Sequence, residues 1–495
     1  MRKYSLEITV FLCGAALMIL ELAGSRVLAP YIGTSIVVWT SLIGIIMGAL
    51  SLGYYVGGKL ADKNPTAPKL ALIILAAAAF IFVIAPLNSE ILSFVQETIR
   101  NLYAGAIIAT VFLFSIPSFF LGIVSPYAVK LKVKNLNYTG RTVGNLYAIS
   151  TIGSIAGTFA AGFWLIPFLG TINILYFITA TLVFTSLLIS GQKLLKTKLI
   201  LILILLALII FSLVRSAQAE VGQLLDVDSQ YNRIIIYPSV ASDVKRPILS
   251  LTTDPFGVQS AMFSDRDDDL VFKYTKYYRL GDVVNPAIKS ALMIGGAAYS
   301  YPKDFLKNHF NANLDVVEID SKMTELARKY FNLKDDSRLA IYHADARVFL
   351  NENKKKYDAV YIDAFNSQLS IPYQLTTQEA VKKIYGSLND NGAVIVNIIS
   401  AIKGDKGKFL RAEYATYKSI FPQLYLFRVY GTDPFKVQNL ILIGVKSAKP
   451  VNLKSDKAEL DGFLKMIWRE PIKADLPILT DDFAPVDYYI MNLFK

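Results

Sequence analysis

The 495-residue chain is 54% apolar with a mean hydropathy of +0.42, above what a water-soluble domain of this length carries, so part of it is expected in a bilayer. One cysteine and two histidines exclude an internal disulfide and a Cys/His zinc cage. The net charge of +12 does not call for nucleic acid, because many of the basic residues sit in short loops between apolar runs, where membrane topology accounts for them.

Seven apolar runs are long enough, or nearly so, to cross a hydrocarbon core: 8–29, 36–58, 68–87, 102–124, 143–168, 171–190 and 198–214. The first is too long for a signal peptide and a second follows almost at once, so it is expected to be retained. A seven-helix membrane domain over 1–217 follows. Gly44 with Gly48, Gly53 with Gly57 and Gly153 with Gly157 are small-xxx-small pairs suited to close helix packing. Glu21 lies well inside the first run, where a carboxylate needs water or a partner; Arg26 is a candidate, and the pair reads either as a structural tie or as part of a polar cavity.

With the N-terminus in the cytoplasm, the inner loops hold Arg2, Lys3, Lys59, Lys63, Lys69, Lys130, Lys132, Lys134, Arg141, Lys193, Lys196 and Lys198, and the outer ones Arg26, Arg100 and Arg215. That bias fixes the orientation by the positive-inside rule. Seven spans then put everything after Leu213 outside the cytoplasm, in a multi-pass protein of the cell membrane.

After the membrane domain, "QYNRIIIYP", "RPILSLTTD" and "FGVQSAMF" read as short strands broken by Pro, Gly and Asp, a small antiparallel β subdomain over 218–289. From 290 to 495 strands and helices alternate: "ALMIGG", "LDVVEID", "LAIYHAD", "YDAVYIDAF" and "GAVIVNII", with "KMTELARKYF" and "TQEAVKKIYGSL" between them. Alternation of this kind predicts a doubly wound parallel sheet of the methyltransferase-like Rossmann type. "LYLFRVY" and "NLILIGV" predict an antiparallel hairpin at one edge.

In such a sheet the ligand lies beyond the carboxyl ends of the strands. Gly295 and Gly296 end the first, Glu318 the second, Asp345 the third and Asp363 the fourth. Glu318, 23 residues after Gly295, stands where an acid accepts hydrogen bonds from both ribose hydroxyls. Asp345 with the Ala346 amide is placed to read an adenine edge. Each acid could instead cap a helix. No third glycine completes a dinucleotide turn, which favours a nucleoside such as an adenosyl sulfonium compound.

The motifs "DSQYNRI", "GVQS", "MIGGA", "VVEID", "HADAR", "YDAVYIDAF" and "LTDDFAPVDYY" resemble those of the polyamine aminopropyltransferases (spermidine synthases), and the whole chain resembles their multi-pass membrane-bound branch. The resemblance implies aminopropyl transfer from decarboxylated S-adenosylmethionine to an amine, with release of methylthioadenosine and with no permanently bound cofactor or metal. It assigns Asp363 as the proton acceptor and Glu318, Asp345, Ala346, Gly295 and Gly296 to the donor, with Gln259 beside them and Asn232 standing where the family has a glutamine.

On the amine side the chain departs from the family pattern. Ala298 stands where the glycine turn has an acid, Asn366 replaces the second acid of DxxD, and the Tyr-His pair reads Tyr274, Thr275. The acceptor therefore stays open between a small-molecule amine and a membrane-associated partner. Methyl transfer or lyase chemistry on an adenosyl sulfonium donor, and a nonenzymatic transporter or sensor with a nucleoside pocket, stand as alternatives, and a homo-oligomer is compatible with all of them.

Overall fold

The computed structural model describes residues 4–491 and 493, apart from 34, 100, 134–138, 191–223, 254–256, 268 and 365–370. The seventh apolar run, Asn366, and the basic residues Arg2, Lys3, Arg100, Lys134, Lys193, Lys196, Lys198 and Arg215 lie outside the described residues. The chain divides into two compact units, Met1–Ile234 and Ile235–Lys495.

Among the described residues of the first unit, six helices are long and apolar enough to cross a membrane: α1 Ser5–Ile32, α2 Ile36–Asp62, α3 Ala67–Thr98, α4 Leu102–Lys132, α5 Thr139–Leu169 and α6 Thr171–Ser190. Both α4 and α5 widen into a π turn, at Val111–Ser115 and Ala161–Leu165, just ahead of Pro117 and Pro167. A proline cannot donate to the carbonyl four residues back and its ring crowds that carbonyl, so the wider turn absorbs the misfit within a continuous helix.

Two of the three glycine pairs are packed. A Cβ at Gly53 would collide with the Phe119 carbonyl of α4, and one at Gly153 with the Phe11 carbonyl of α1. These backbones touch because the side chains are missing. Gly44 and Gly48 differ: a Cβ there would meet no atom within 4 Å, and both line an apolar groove with Leu52, Val111 and Phe119. The Glu21–Arg26 pairing expected from sequence is not found: Arg26 donates to the Gln230 carbonyl, and the Glu21 carboxylate makes no hydrogen bond or ion pair among the described residues. Five residues along a helix is about 500° of rotation, which points the two side chains in different directions. Ion pairs join helix ends instead, Lys132 to Glu7 and Lys130 to Asp62, each at 2.7 Å.

Past residue 223, β1 Leu225–Asp228, β2 Arg233–Val240, β3 Pro247–Thr252 and β4 Ser260–Phe263 form a four-stranded sheet in chain order. β2–β3 and β3–β4 pair antiparallel. In β2, Ile234 and Ile236 are fully buried while their neighbours are not, the period-2 pattern of a sheet with one covered face.

A seven-stranded sheet follows, from β5 Ser290–Ile294, β6 Asn313–Val317, β7 Leu339–Tyr342, β8 Tyr357–Ile362, β9 Leu388–Ser400, β10 Gln423–Arg428 and β11 Gln438–Val445, in the spatial order β10-β11-β9-β8-β5-β6-β7. β5 to β9 pair parallel; β11 runs antiparallel to β9, and β10 to β11, as the edge hairpin. Beyond Ser290 and Asp358 near their starts, the central strands β5 and β8 are apolar and buried on both faces, as helix-covered parallel strands must be. The chain reverses direction across the sheet between β5 and β8, which opens a crevice at their carboxyl ends.

Candidate active site

Because β8, β5, β6 and β7 are spatial neighbours, the groups after them stand in one row along the carboxyl edge: Asp363, Gly295, Glu318, Asp345. At about 4.8 Å per strand the row spans about 14 Å, the scale of a nucleoside with a substituent.

The glycine turn is specified by crowding. Gly295 has φ +92° and a Cβ there would collide with the Asp363 carbonyl; a Cβ at Gly296 would lie 2.8 Å from the Tyr299 ring. Ala297 and Tyr299 are also left-handed, at φ +45° and +56°, a conformation L-residues adopt at some cost. Glu318 holds this turn in place. Its Oε2 accepts from the N–H groups of Gly296 (2.8 Å) and Ala297 (3.0 Å), and its Oε1 from that of Asp320 (3.0 Å). Burial raises its pKa above the usual carboxylate value, and the three amides oppose that rise. On the far side, the Tyr299 hydroxyl meets Thr324 Oγ1 at 2.7 Å, which meets His343 Nε2 at 2.9 Å.

Asp345 is a helix cap, as the alternative reading allowed: its Oδ1 accepts from the N–H groups of Arg347 (2.8 Å) and Val348 (3.1 Å) at the start of the helix Ala346–Glu352. Arg347 forms a two-pronged ion pair with Asp481 and donates to the Gln374 carbonyl. The "HADAR" and "LTDD" motifs, 134 residues apart, are thereby tied together.

Asp363 lines a cleft of about 250 Å³. Tyr274 donates its hydroxyl to Oδ2 at 3.1 Å, and Asn397 donates Nδ2 to Oδ1 at 2.9 Å. Asn439 in turn donates Nδ2 to the Asn397 Oδ1 at 2.9 Å. The Tyr278 hydroxyl lies outside hydrogen-bond geometry, yet near enough to favour the charged carboxylate. Burial raises the Asp363 pKa and these donors hold it back. Burial and the Asp363 charge push Tyr274 well above the ordinary phenol value, so it stays a neutral donor.

Of the residues singled out from sequence, Asp363, Tyr274, Gln259, Gly295 and Gly296 line the cleft together. Glu318, Asp345 and Ala346 are not among its lining residues; the strand order brings them alongside. Ala298 is a correction: it is fully buried, and the alanine of the turn facing the cleft is Ala297, because the two left-handed residues rotate the chain between them. Asn232 closes a turn with Ser229, whose N–H and hydroxyl donate to its carbonyl, and it does not line the cleft. Asn397, Asn439, Tyr278 and Tyr430 were not anticipated. Asn397 and Ile399 alternate on β9, and register sets Asn439 of β11 opposite Ile399, so one face of two antiparallel strands supplies an amide wall. An Asn inside an otherwise apolar strand, as in "VIVNII", was the available signal.

The spermine/spermidine synthase domain family matches residues 278–430, which bears out the resemblance read from the motifs. A polyamine aminopropyltransferase of Vibrio vulnificus is 27% identical over 252 residues, covering 46% of this chain and 80% of that protein. A probable polyamine aminopropyl transferase of Bifidobacterium longum is 28% identical over 293 residues, 54% of this chain and 61% of that protein. Among solved structures, a probable spermidine synthase from Corynebacterium glutamicum aligns at 17% identity with a TM-score of 0.39, covering 49% of this chain and 85% of that one.

Proposed function

We propose that this chain, with a spermine/spermidine synthase domain at residues 278–430, is an aminopropyltransferase that uses decarboxylated S-adenosylmethionine as a co-substrate and holds no permanent cofactor. The observation that carries the reading is the Asp363 carboxylate, fixed by Tyr274 and Asn397 at the switch point of the sheet and directly beside the glycine turn. An amine attacks only when neutral. Asp363 takes one proton from the acceptor ammonium; the amine lone pair forms a bond to the aminopropyl carbon next to sulfur; the C–S bond breaks and its electrons stay on sulfur, which leaves as the neutral thioether methylthioadenosine. No acid is needed at the leaving group, since departure itself removes the positive charge.

In this reading Glu318 receives the ribose hydroxyls through lone pairs left after its three backbone contacts, and Asp345 with Ala346 receives the adenine. Gly295, Gly296 and Gln259 border the donor, and Tyr274 and Asn366 belong to the acceptor side. The acceptor is a small-molecule or membrane-associated amine. The purified protein should release methylthioadenosine from the decarboxylated donor in the presence of a primary amine. S-adenosylhomocysteine formed from the ordinary donor, with no methylthioadenosine from the other, would replace aminopropyl transfer by methyl transfer.

The six apolar helices are compatible with repeated membrane passage, and a seventh span at 198–214 would complete an odd number. The charge bias supports a cytoplasmic N-terminus and a C-terminal domain outside the cytoplasm, although adenosyl donors are made in the cytosol. Alkaline phosphatase fused after Lys495 should then be active and a fluorescent protein at the same place dark. The opposite pair of results would place the domain in the cytoplasm and make the number of spans even.

A further inference from the structure

Asp363 accepts a hydrogen bond on each oxygen, and the two donors are not equivalent. The Tyr274 hydroxyl on Oδ2 can rotate about its C–O bond, serving a carboxylate as donor or a carboxylic acid as acceptor. The Asn397 amide on Oδ1 has no such freedom. Its nitrogen only donates and its oxygen only accepts, so it follows a change of protonation only by exchanging its two ends.

Asn439 opposes that exchange. Its Nδ2 donates to Asn397 Oδ1 at 2.9 Å, and a turned Asn397 would set NH₂ against NH₂ unless both amides turned together. The contact is a product of register: Asn439 stands opposite Ile399, so Asn397, two residues away, is its diagonal neighbour on the face that lines the cleft. Asn397 is only 5% exposed, which leaves little water to replace either partner. From Leu440 on, β11 is apolar, so the strand itself does not call for an amide at 439. The titratable groups facing Asp363 are the phenols of Tyr274 and Tyr278, from the short helical stretch 273–280, with Tyr430 beside Tyr274. Burial keeps Tyr274 and Tyr278 neutral.

We propose that Asn439 is a positioning residue for the proton acceptor: through Asn397 it keeps Oδ1 of Asp363 an acceptor throughout turnover, so the proton drawn from the amine goes to Oδ2, beside Tyr274. The assignment rests on the aminopropyl-transfer reading. One N–H bond of the acceptor ammonium breaks and one O–H bond forms at Oδ2; the Tyr274 hydroxyl rotates to stay bonded, and the proton passes to water before the next turnover. An Asn397 free to turn its carbonyl toward Asp363 would instead favour the protonated acid and leave less of the base in its working form.

Asn439→Leu removes the donor at nearly constant volume. The full-length protein is followed for methylthioadenosine release from the decarboxylated donor, with butane-1,4-diamine or n-butylamine, across pH. The acid limb of kcat/KM should move up by about half a unit to one unit, the scale of one hydrogen bond, while methylthioadenosine affinity stays within about twofold. Asn439→Ala should move it the same way. Asn397→Leu should move the limb at least as far, and Asn439→Leu should add nothing to it. Activity lowered equally at every pH, or effects of the two substitutions that add, would mean a merely structural asparagine and overturn the assignment while leaving aminopropyl transfer intact.

A second readout needs no amine: the melting temperature of each chain against its own Asp363→Asn counterpart across pH. The stability that Asp363 contributes in its protonated form is complete below its unfolded pKa and lost as pH rises through the raised folded value. In Asn439→Leu that loss should be displaced to higher pH; coincident curves for the two chains overturn the assignment. Methylthioadenosine from neither amine in the wild type overturns the aminopropyl-transfer reading instead.

Discussion

Asp363→Asn is expected to lower kcat by about two to four orders of magnitude, the range for removal of a general base, and to leave nucleoside affinity within a few-fold. The substitution is sterically mild, and the Tyr274 hydroxyl can rotate from donor to acceptor to meet the new amide. It should not unfold the protein. Burial raises the Asp363 pKa, so the folded state prefers the protonated form; the stabilising contribution of that form is complete below the unfolded pKa and is lost as pH rises through the raised value. The melting temperature of Asp363→Asn near neutral pH should therefore equal or exceed that of the wild type. The same sign fixes the rate profile. Activity needs the ionised base, so the acid limb of kcat/KM should lie above the ordinary carboxylate value, and Tyr274→Phe, which removes a donor to the charged form, should move it further up. Retained turnover in Asp363→Asn, or an acid limb that Tyr274→Phe moves down, would assign the base elsewhere.

Glu318→Gln is expected to weaken methylthioadenosine binding at least about tenfold and to destabilise the glycine turn by about 1–3 kcal/mol, the cost of one buried backbone donor left without an acceptor. Three N–H groups converge on its two oxygens. A glutamine offers one oxygen, which can keep Gly296 and Ala297; its NH₂ then faces the Asp320 N–H, donor against donor. Two readouts separate the consequences: calorimetry for affinity and thermal unfolding for the turn. Equal affinity in both forms would remove Glu318 from the nucleoside site, whatever happens to the melting temperature.

The pieces legible in the sequence were those governed by period and position. β5, β6 and β8 are apolar runs that end in Gly295, Glu318 and Asp363, and a parallel sheet puts such endings in one crevice. The hairpin of β10 and β11 was equally plain, since a Gly, Asp and Pro loop separates two apolar strands. What escaped depended on relations between distant strands. Asn397 reaches Asp363 only because β9 neighbours β8, and Asn439 reaches Asn397 only because of the antiparallel register of β11 on β9. Neither fact is local. Ala297 rather than Ala298 faces the cleft because two residues adopt positive φ, which alanine and tyrosine do not announce as glycine does. In the first unit the apolar runs located the helices, but not which glycines were engaged: Gly53 and Gly153 touch a neighbouring backbone while Gly44, in the same kind of pair, does not.

The close approach of Gly295 to the Asp363 carbonyl, with the Asp363 N–H bonded at 2.9 Å to the Ile294 carbonyl, makes the glycine turn and the Asp363 carboxylate a single mechanical block. A change in one is transmitted to the other at once, so neither can drift alone over generations of mutation. The hairpin and the amide wall carry no such seam. Inheritance in this domain should therefore be split, with the donor and its chemistry passed on nearly frozen while descendants are free to exchange one acceptor for another by altering side chains around the opening.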